Sequence, residues 1–267
     1  MNVNNEIKRP FLNYFGAKWK IAPWIISFIP AHRNYIEPFG GSAAVLLRKP
    51  RSHTEVYNDL DGNVVNAFRV LRDRPKELLR LLDLTPYSRE EYERAFEGTD
   101  DALEKARRFI VKCWMGHSQT AGLKDGEGHP GFSTAIKASG GSRARSWVSY
   151  VDALSVLVDR LRYVQIEHLP VLDLFPLWDE KNTVWYLDPP YVAKTRVAKN
   201  QYRFEMTEAD HTELLARAVG LKGMVLLSGY ASELYDSVLS TWERYERPSF
   251  SGSSDRVEVL WVKRAST

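Results

Sequence analysis

The sequence predicts an α/β protein with a mainly parallel sheet, a terminal antiparallel hairpin and an inserted, mainly helical segment. Three observations predict it. Short apolar strand patterns alternate with helical ones towards both ends of the chain, and residues 63 to 161 read as chiefly helical. The last two strand patterns follow one another with only a loop between them.

The first strand is expected over Asn34 to Glu37, running into Pro38-Phe39-Gly40-Gly41-Ser42, with a helix beginning at Ala43 to Leu47. A second strand over Glu55 to Asn58 places Asp59 just beyond its carboxyl end, at about the spacing of a nucleotide-binding βαβ unit. Val64, Ala67, Phe68 and Leu71 recur at helical spacing, and Pro75 marks a fresh helix start. Ser88 and Glu91 resemble a capping box, and a longer helix is expected from Asp101 to Trp114. Glycine, serine and scattered Lys/Arg make Gly116 to Ser146 a loop-rich stretch, before a helical pattern resumes over Trp147 to Leu161. Strands are then expected at Tyr163 to Glu167, Thr183 to Leu187 and Met224 to Leu227, with a helix over Thr207 to Val219. The final pair, Trp242 to Glu246 and Val257 to Val262, is joined by a loop containing Ser249, Gly252 and Asp255.

A chain of 267 residues with 44% hydrophobic and 27% charged residues falls among soluble globular proteins and can bury a substantial core. Its longest apolar stretch, Ile21 to Ile29, is too short to cross a bilayer and contains Pro23, so no membrane association is expected. Glu6, Lys8 and Arg9 lead straight into patterned sequence, which argues against a targeting leader and for a cytoplasmic location. Cys113 is the single cysteine, so neither an internal disulfide nor a multi-thiolate zinc site can form. The six histidines are dispersed, and no metal is expected. A net charge of +3 is compatible with a polyanion partner but does not identify one.

Three loops carry chemistry. Gly40-Gly41 after a strand lets backbone N–H groups approach a ligand, although a glycine pair there is more often an ordinary turn. Asp59 can accept ribose hydroxyls, or can act as an Asx-turn or helix cap. Asp188-Pro189-Pro190-Tyr191 follows the apolar run Val184-Trp185-Tyr186-Leu187. Two prolines there restrict the backbone and remove two donors, leaving carbonyls and a fixed carboxylate. Such a turn suits an exocyclic amine: Asp188 accepts one N–H, a backbone carbonyl the other, and Tyr191 holds the ring. The bland alternative is a proline-rich turn whose Asp caps backbone and whose Tyr packs sideways.

Taken in order, Pro10-Phe11-Leu12-Asn13-Tyr14-Phe15-Gly16-Ala17-Lys18, Tyr35-Ile36-Glu37-Pro38-Phe39-Gly40-Gly41, Asn58-Asp59-Leu60-Asp61, Asp188-Pro189-Pro190-Tyr191 and Arg256-Val257-Glu258-Val259-Leu260 span nearly the whole chain. Together they resemble the Dam-type (D12 class) family of DNA N6-adenine methyltransferases. The resemblance implies a Rossmann-like, S-adenosylmethionine-dependent methyltransferase fold that transfers methyl to a flipped adenine. It implicates Tyr14, Gly16, Lys18, Glu37, Pro38, Phe39, Gly41, Asp59 and, more loosely, Asp173 in holding S-adenosylmethionine. Asp188, Pro189, Pro190 and Tyr191 become the catalytic turn. Ala43 stands where the family commonly has the second glycine of Phe-x-Gly-x-Gly.

Under the same resemblance the partner is double-stranded DNA. Residues 1–70 and 162–267 would form the catalytic domain, and 71–161 an inserted target-recognition domain. Lys124, Lys137, Arg143 and Arg145 are expected to face DNA, with Ser118, Gln119 and Thr120 as neutral hydrogen-bonding groups. Lys194, Arg196, Lys199 and Arg203 form a second basic segment after the catalytic turn, expected to close over the extruded nucleotide or to hold flanking phosphates. For any one of these cations ordinary solvation is the competing account. An N4-cytosine methyltransferase and a non-catalytic DNA-binding derivative are the competing functions.

Overall fold

The computed structural model describes residues 7–123, 129–134, 141–196, 202–251 and 254–265. Their strands are β1 (Asn34–Glu37), β2 (Thr54–Asn58), β3 (Val164–Glu167), β4 (Thr183–Leu187), β5 (Met224–Gly229), β6 (Glu243–Ser251) and β7 (Ser254–Lys263). They form one sheet in the order β3-β2-β1-β4-β5-β7-β6. The pairs β1 with β2, β1 with β4, and β4 with β5 are parallel, whereas β7 runs antiparallel to both β5 and β6. The mainly parallel sheet and terminal hairpin are as the sequence predicts. The hairpin is longer than expected, because pairing runs out to Ser251 and Ser254, through most of the segment assigned to its loop.

The chain divides into two compact units, one of residues 1–22, 41–48 and 61–166, the other of 23–40, 49–60 and 167–267. In the second unit the core lies on one sheet face. Ile36, Val56, Trp185, Leu187, Val225, Leu227, Val259 and Trp261 point to it, and Leu174, Phe175, Leu214, Leu215, Ala218 and Tyr235 pack against them. These partners come from α9 (Val171–Trp178), α10 (Glu208–Val219) and α11 (Glu233–Val238). The register leaves Tyr35, Glu37, Tyr57, Tyr186, Ser228 and Glu258 on the opposite face, because side chains alternate along a strand. That face is buried as well, so β1, β4 and β5 are buried at every position. Under β1 and β2, Lys49 pairs with Glu55 at 2.5 Å and stands 4.4 Å from the Tyr35 ring centre, which compensates two buried charges. The remaining helix of this unit's amino-terminal part is α1 (Ala22–Ile26), which begins at the boundary residue.

The first unit contains α2 (Ala44–Arg48), α3 (Gly62–Asp73), α4 (Pro75–Asp83), α5 (Arg89–Arg94), α6 (Ala102–Met115), α7 (Arg143–Asp152) and α8 (Leu154–Leu161). The start at Pro75 and the Asp101 cap of α6 follow the sequence reading. Only half of the capping box forms at α5. Ser88 accepts from the Glu91 N–H, but the Glu91 carboxylate pairs with Arg107 at 2.6 Å instead of returning to the cap. Phe11 anchors the amino-terminal segment: its ring packs edge-on to Phe68 at 4.8 Å, and its carbonyl accepts from Trp114 Nε1 and Tyr150 Oη. Among the described residues no helix is long and apolar enough to cross a membrane.

Candidate functional site

In the second unit the chain lays β2 on one side of β1 and β4 on the other, so the order reverses between β1 and β4. Crevices outside the carboxyl ends of parallel strands at such a reversal are where open α/β sheets bind ligands. Glu37 ends β1, Asp59 follows β2 and Asp188 follows β4, which sets three carboxylates along one sheet edge. Glu37 is buried, whereas Asp59 and Asp188 are half-exposed.

Asn58 fixes the loops around this edge. Its Nδ2 donates to Pro38 O at 2.8 Å and Leu169 O at 3.0 Å, and its backbone carbonyl accepts from Gly40 N at 2.8 Å. Gly40 is glycine for packing, since a Cβ there would run into the buried Tyr57 ring. Phe39 is half-exposed beside it. The cap of α3 is Asp61 rather than Asp59: its carboxylate accepts from Asn63 N at 2.9 Å. Asp173 lies exposed in the first turn of α9, a helix the sequence reading did not assign because Pro176 interrupts it.

Around Asp188 the polar face of the sheet carries a cluster that sequence reasoning did not single out. Tyr35 Oη donates to Glu37 Oε2 at 2.8 Å, Tyr186 Oη and Ser228 Oγ are 2.9 Å apart, and Tyr191 Oη donates to Glu258. Pro189 and Tyr191 are buried and Pro190 half-buried. Burial first, then nearby carboxylates, pushes all three phenols well above their ordinary range: Glu37 acts on Tyr35, Asp188 on Tyr186, and Glu258 and Asp188 on Tyr191. All three therefore stay protonated. The available signal was a single polar residue set between apolar ones, as in Val257-Glu258-Val259.

The first unit holds Tyr14, Gly16, Lys18 and Gly41. Gly16 and Gly41 have φ of 77° and 46°, the left-handed region that favours glycine. Lys18 is buried, with Nζ donating to Gly16 O at 2.9 Å, and Tyr14 is buried with its ring 6.4 Å from that of Phe109. Ala43 also has a positive φ, 54°, a conformation in which its Cβ is strained and a glycine would not be.

Of the expected DNA-facing cations, Lys124, Lys137 and Lys199 lie outside the described residues. Arg143 and Arg145 are not in a loop, as the composition suggested, but in the first turn of α7, where Ser142 Oγ accepts from Arg145 N. Arg196 also differs from expectation: its guanidinium is held by Glu205 at 2.5 Å, with a side chain only 5% exposed, which withdraws it from solvent and from phosphate. Lys194 is exposed and pairs with Glu208 at 2.7 Å. Arg203 is half-buried. Ser118 and Thr120 hydrogen-bond each other, and Gln119 donates to Asn13.

For a cofactor carrying a ribose, an adenine and a charged amino-acid end, the donor set fits. Asp59 offers a half-exposed carboxylate to hydroxyls, the turn after β1 brings backbone close, and Glu37 supplies buried negative charge.

The sequence matches the family model described as D12 class N6 adenine-specific DNA methyltransferase over residues 14–247. The Type II methyltransferase M1.LlaDCHI of Lactococcus lactis subsp. cremoris is 34% identical over 76 residues, 28% of this chain. That stretch is 26% of the relative, so the match spans about a quarter of the curated relative's length. With the family match running through most of its length, the chain belongs to the D12 class of N6 adenine-specific DNA methyltransferases.

Proposed function

We propose that the protein methylates N6 of an adenine extruded from double-stranded DNA, using S-adenosylmethionine. The observation that carries this reading is the position of Asp188-Pro189-Pro190-Tyr191 at the carboxyl end of β4, next to Glu37 at the point where strand order reverses. Glu37, Pro38, Phe39 and Asp59 hold the cofactor in the second unit, with Asp173 as a further acidic position. Tyr14, Gly16, Lys18 and Gly41 are assigned to it on their match to the family motifs. Bound, the cofactor supplies an electrophilic sulfonium methyl.

The chain's own part is orientation. Asp188 and the Pro189 carbonyl accept the two N–H bonds of the target amine and draw it towards a pyramidal arrangement, which takes its lone pair out of conjugation with the ring. Positive charge develops on that nitrogen, and the carboxylates of Asp188 and Glu37 set a field that favours it. Asp188 then takes the departing proton transiently, and a base inside the duplex must flip out to reach it. Tyr191 meets the face of the flipped ring. Residues 71–161 read the DNA, with Arg143 and Arg145 as phosphate contacts. Two cations in the first turn of α7 oppose the helix dipole by about 0.3–1 kcal/mol each, an arrangement that a bound phosphate relieves. Lys194 is the exposed cation after the catalytic turn. On this reading the protein works on DNA in the cytoplasm.

Expression in a methylation-deficient host, followed by mapping and identification of modified bases, tests the reading. N6-methyladenine at a defined sequence is the expected result. N4-methylcytosine alone, or DNA binding without any modification, would overturn it.

A further inference from the structure

The bond between Tyr191 and Glu258 joins the catalytic turn to a strand 67 residues away. Glu258 is 4% exposed and lies on β7, whose same-face neighbours Leu260 and Val262 are apolar and buried. Packing alone therefore does not call for a carboxylate there, and burying one is costly unless it accepts strong hydrogen bonds. Tyr191 is 8% exposed, and its ring meets the Tyr230 ring edge-on at 4.6 Å and 76°. An edge contact limits tilt, and a charge-assisted bond at the far end of the phenol fixes rotation. The backbone end of the ring is already constrained by Pro189 and Pro190.

We propose that Glu258 is a positioning residue for the target base: by accepting the Tyr191 hydroxyl it fixes the plane of the ring that the extruded adenine meets. This rests on the reading of Tyr191 as the base-facing ring. Burial and the adjacent carboxylates keep the phenol protonated, so it donates throughout the physiological pH range.

The test is a cycle of Glu258→Ala, Tyr191→Phe and the double variant, with Glu258→Gln beside them. It is scored by kcat and KM for duplex DNA, by 2-aminopurine emission at the target position, and by cofactor Kd. Each single variant should lower kcat/KM for DNA about tenfold, the scale of one hydrogen bond to a charged group. The double variant should be no worse than either single one. Glu258→Gln, which keeps an acceptor without the charge, should stay within about threefold of wild type by the same scale. Emission should change in both single variants, while cofactor Kd stays near wild type. Tyr191→Phe leaves the buried carboxylate in place and tests the same bond if Glu258→Ala unfolds. Multiplying losses in the double variant, a Gln variant as poor as Ala, or a parallel loss of cofactor affinity would overturn the proposal while leaving the methyltransferase reading intact. An inactive wild-type protein would instead overturn the reading beneath it.

Discussion

Asn58 clasps Leu169 from both sides of its peptide: Nδ2 donates to Leu169 O at 3.0 Å, and Oδ1 accepts from Leu169 N at 2.8 Å. A third bond, to Pro38 O, ties the loop after β1 to the same side chain, which is 1% exposed. Asn58→Ala removes all three and should destabilise the protein by about 2–4 kcal/mol, at roughly 1 kcal/mol per bond plus buried groups left unsatisfied. Asn58→Asp should be no milder despite its shape, because an acceptor would then face two carbonyls. Denaturant titration checks both; an aspartate variant as stable as wild type would mean that the amide donor is not what holds these loops.

Asp59 and Asp188 sit on the same sheet edge but are given different tasks. Asp59→Ala should weaken cofactor binding by roughly tenfold or more, since it removes an acceptor from hydroxyls. Asp188→Ala should leave cofactor Kd within about threefold and lower kcat by at least 10²-fold, the scale of losing an orienting group at the reacting atom. Calorimetric cofactor titration beside single-turnover methylation separates them. Equal effects of both variants on binding and on rate would dissolve the distinction.

How far the sequence alone reaches is visible in these same residues. The edge bearing Glu37, Asp59 and Asp188 was legible because each follows a short apolar run and a sharp turn, features local to a few residues. The link between Tyr191 and Glu258 was not, because strand pairing across 67 residues leaves no local trace. The start of α7 was hidden by composition: Gly140-Gly141-Ser142-Arg143-Ala144-Arg145-Ser146 reads as loop, yet Ser142 is an N-cap and the helix begins at Arg143. Arg196 read as a cation for the DNA because nothing in its own segment announces Glu205 as a partner.

Ala43 tests the balance of backbone and side-chain terms. A left-handed alanine costs about 1–2 kcal/mol relative to the ordinary region. Glycine would relieve that strain but adds about 0.4–1 kcal/mol of unfolded-state freedom and forgoes a fully buried methyl worth roughly 0.8 kcal/mol. Ala43→Gly should therefore change stability by less than about 1 kcal/mol. Ala43→Val should destabilise by about 2 kcal/mol or more, since a β-branched residue is far less tolerant of positive φ. Thermal unfolding of the two variants gives the order, and a valine variant at wild-type stability would place position 43 outside the left-handed region.

His211 links stability to pH. It is fully buried, with Nδ1 at 2.9 Å from Tyr235 Oη, and burial lowers its pKa below the ordinary 6.5. Asp210 opposes that shift, Arg196 reinforces it, and Glu205 and Glu208 oppose it more weakly. The unfolded chain takes up a proton as pH falls through 6.5, whereas the folded protein resists until its own lower pKa. The contribution is thus complete above 6.5 and is lost progressively below it, as the unfolded state binds more protons. His32, also lowered by burial, acts in the same direction. Unfolding midpoints measured from neutral pH down through this window should fall in the wild type and fall less steeply in His211→Gln, whose side chain does not titrate. The slope is the readout, because the substitution itself lowers stability at every pH. Parallel slopes for the two proteins would show that the buried imidazole is not the source.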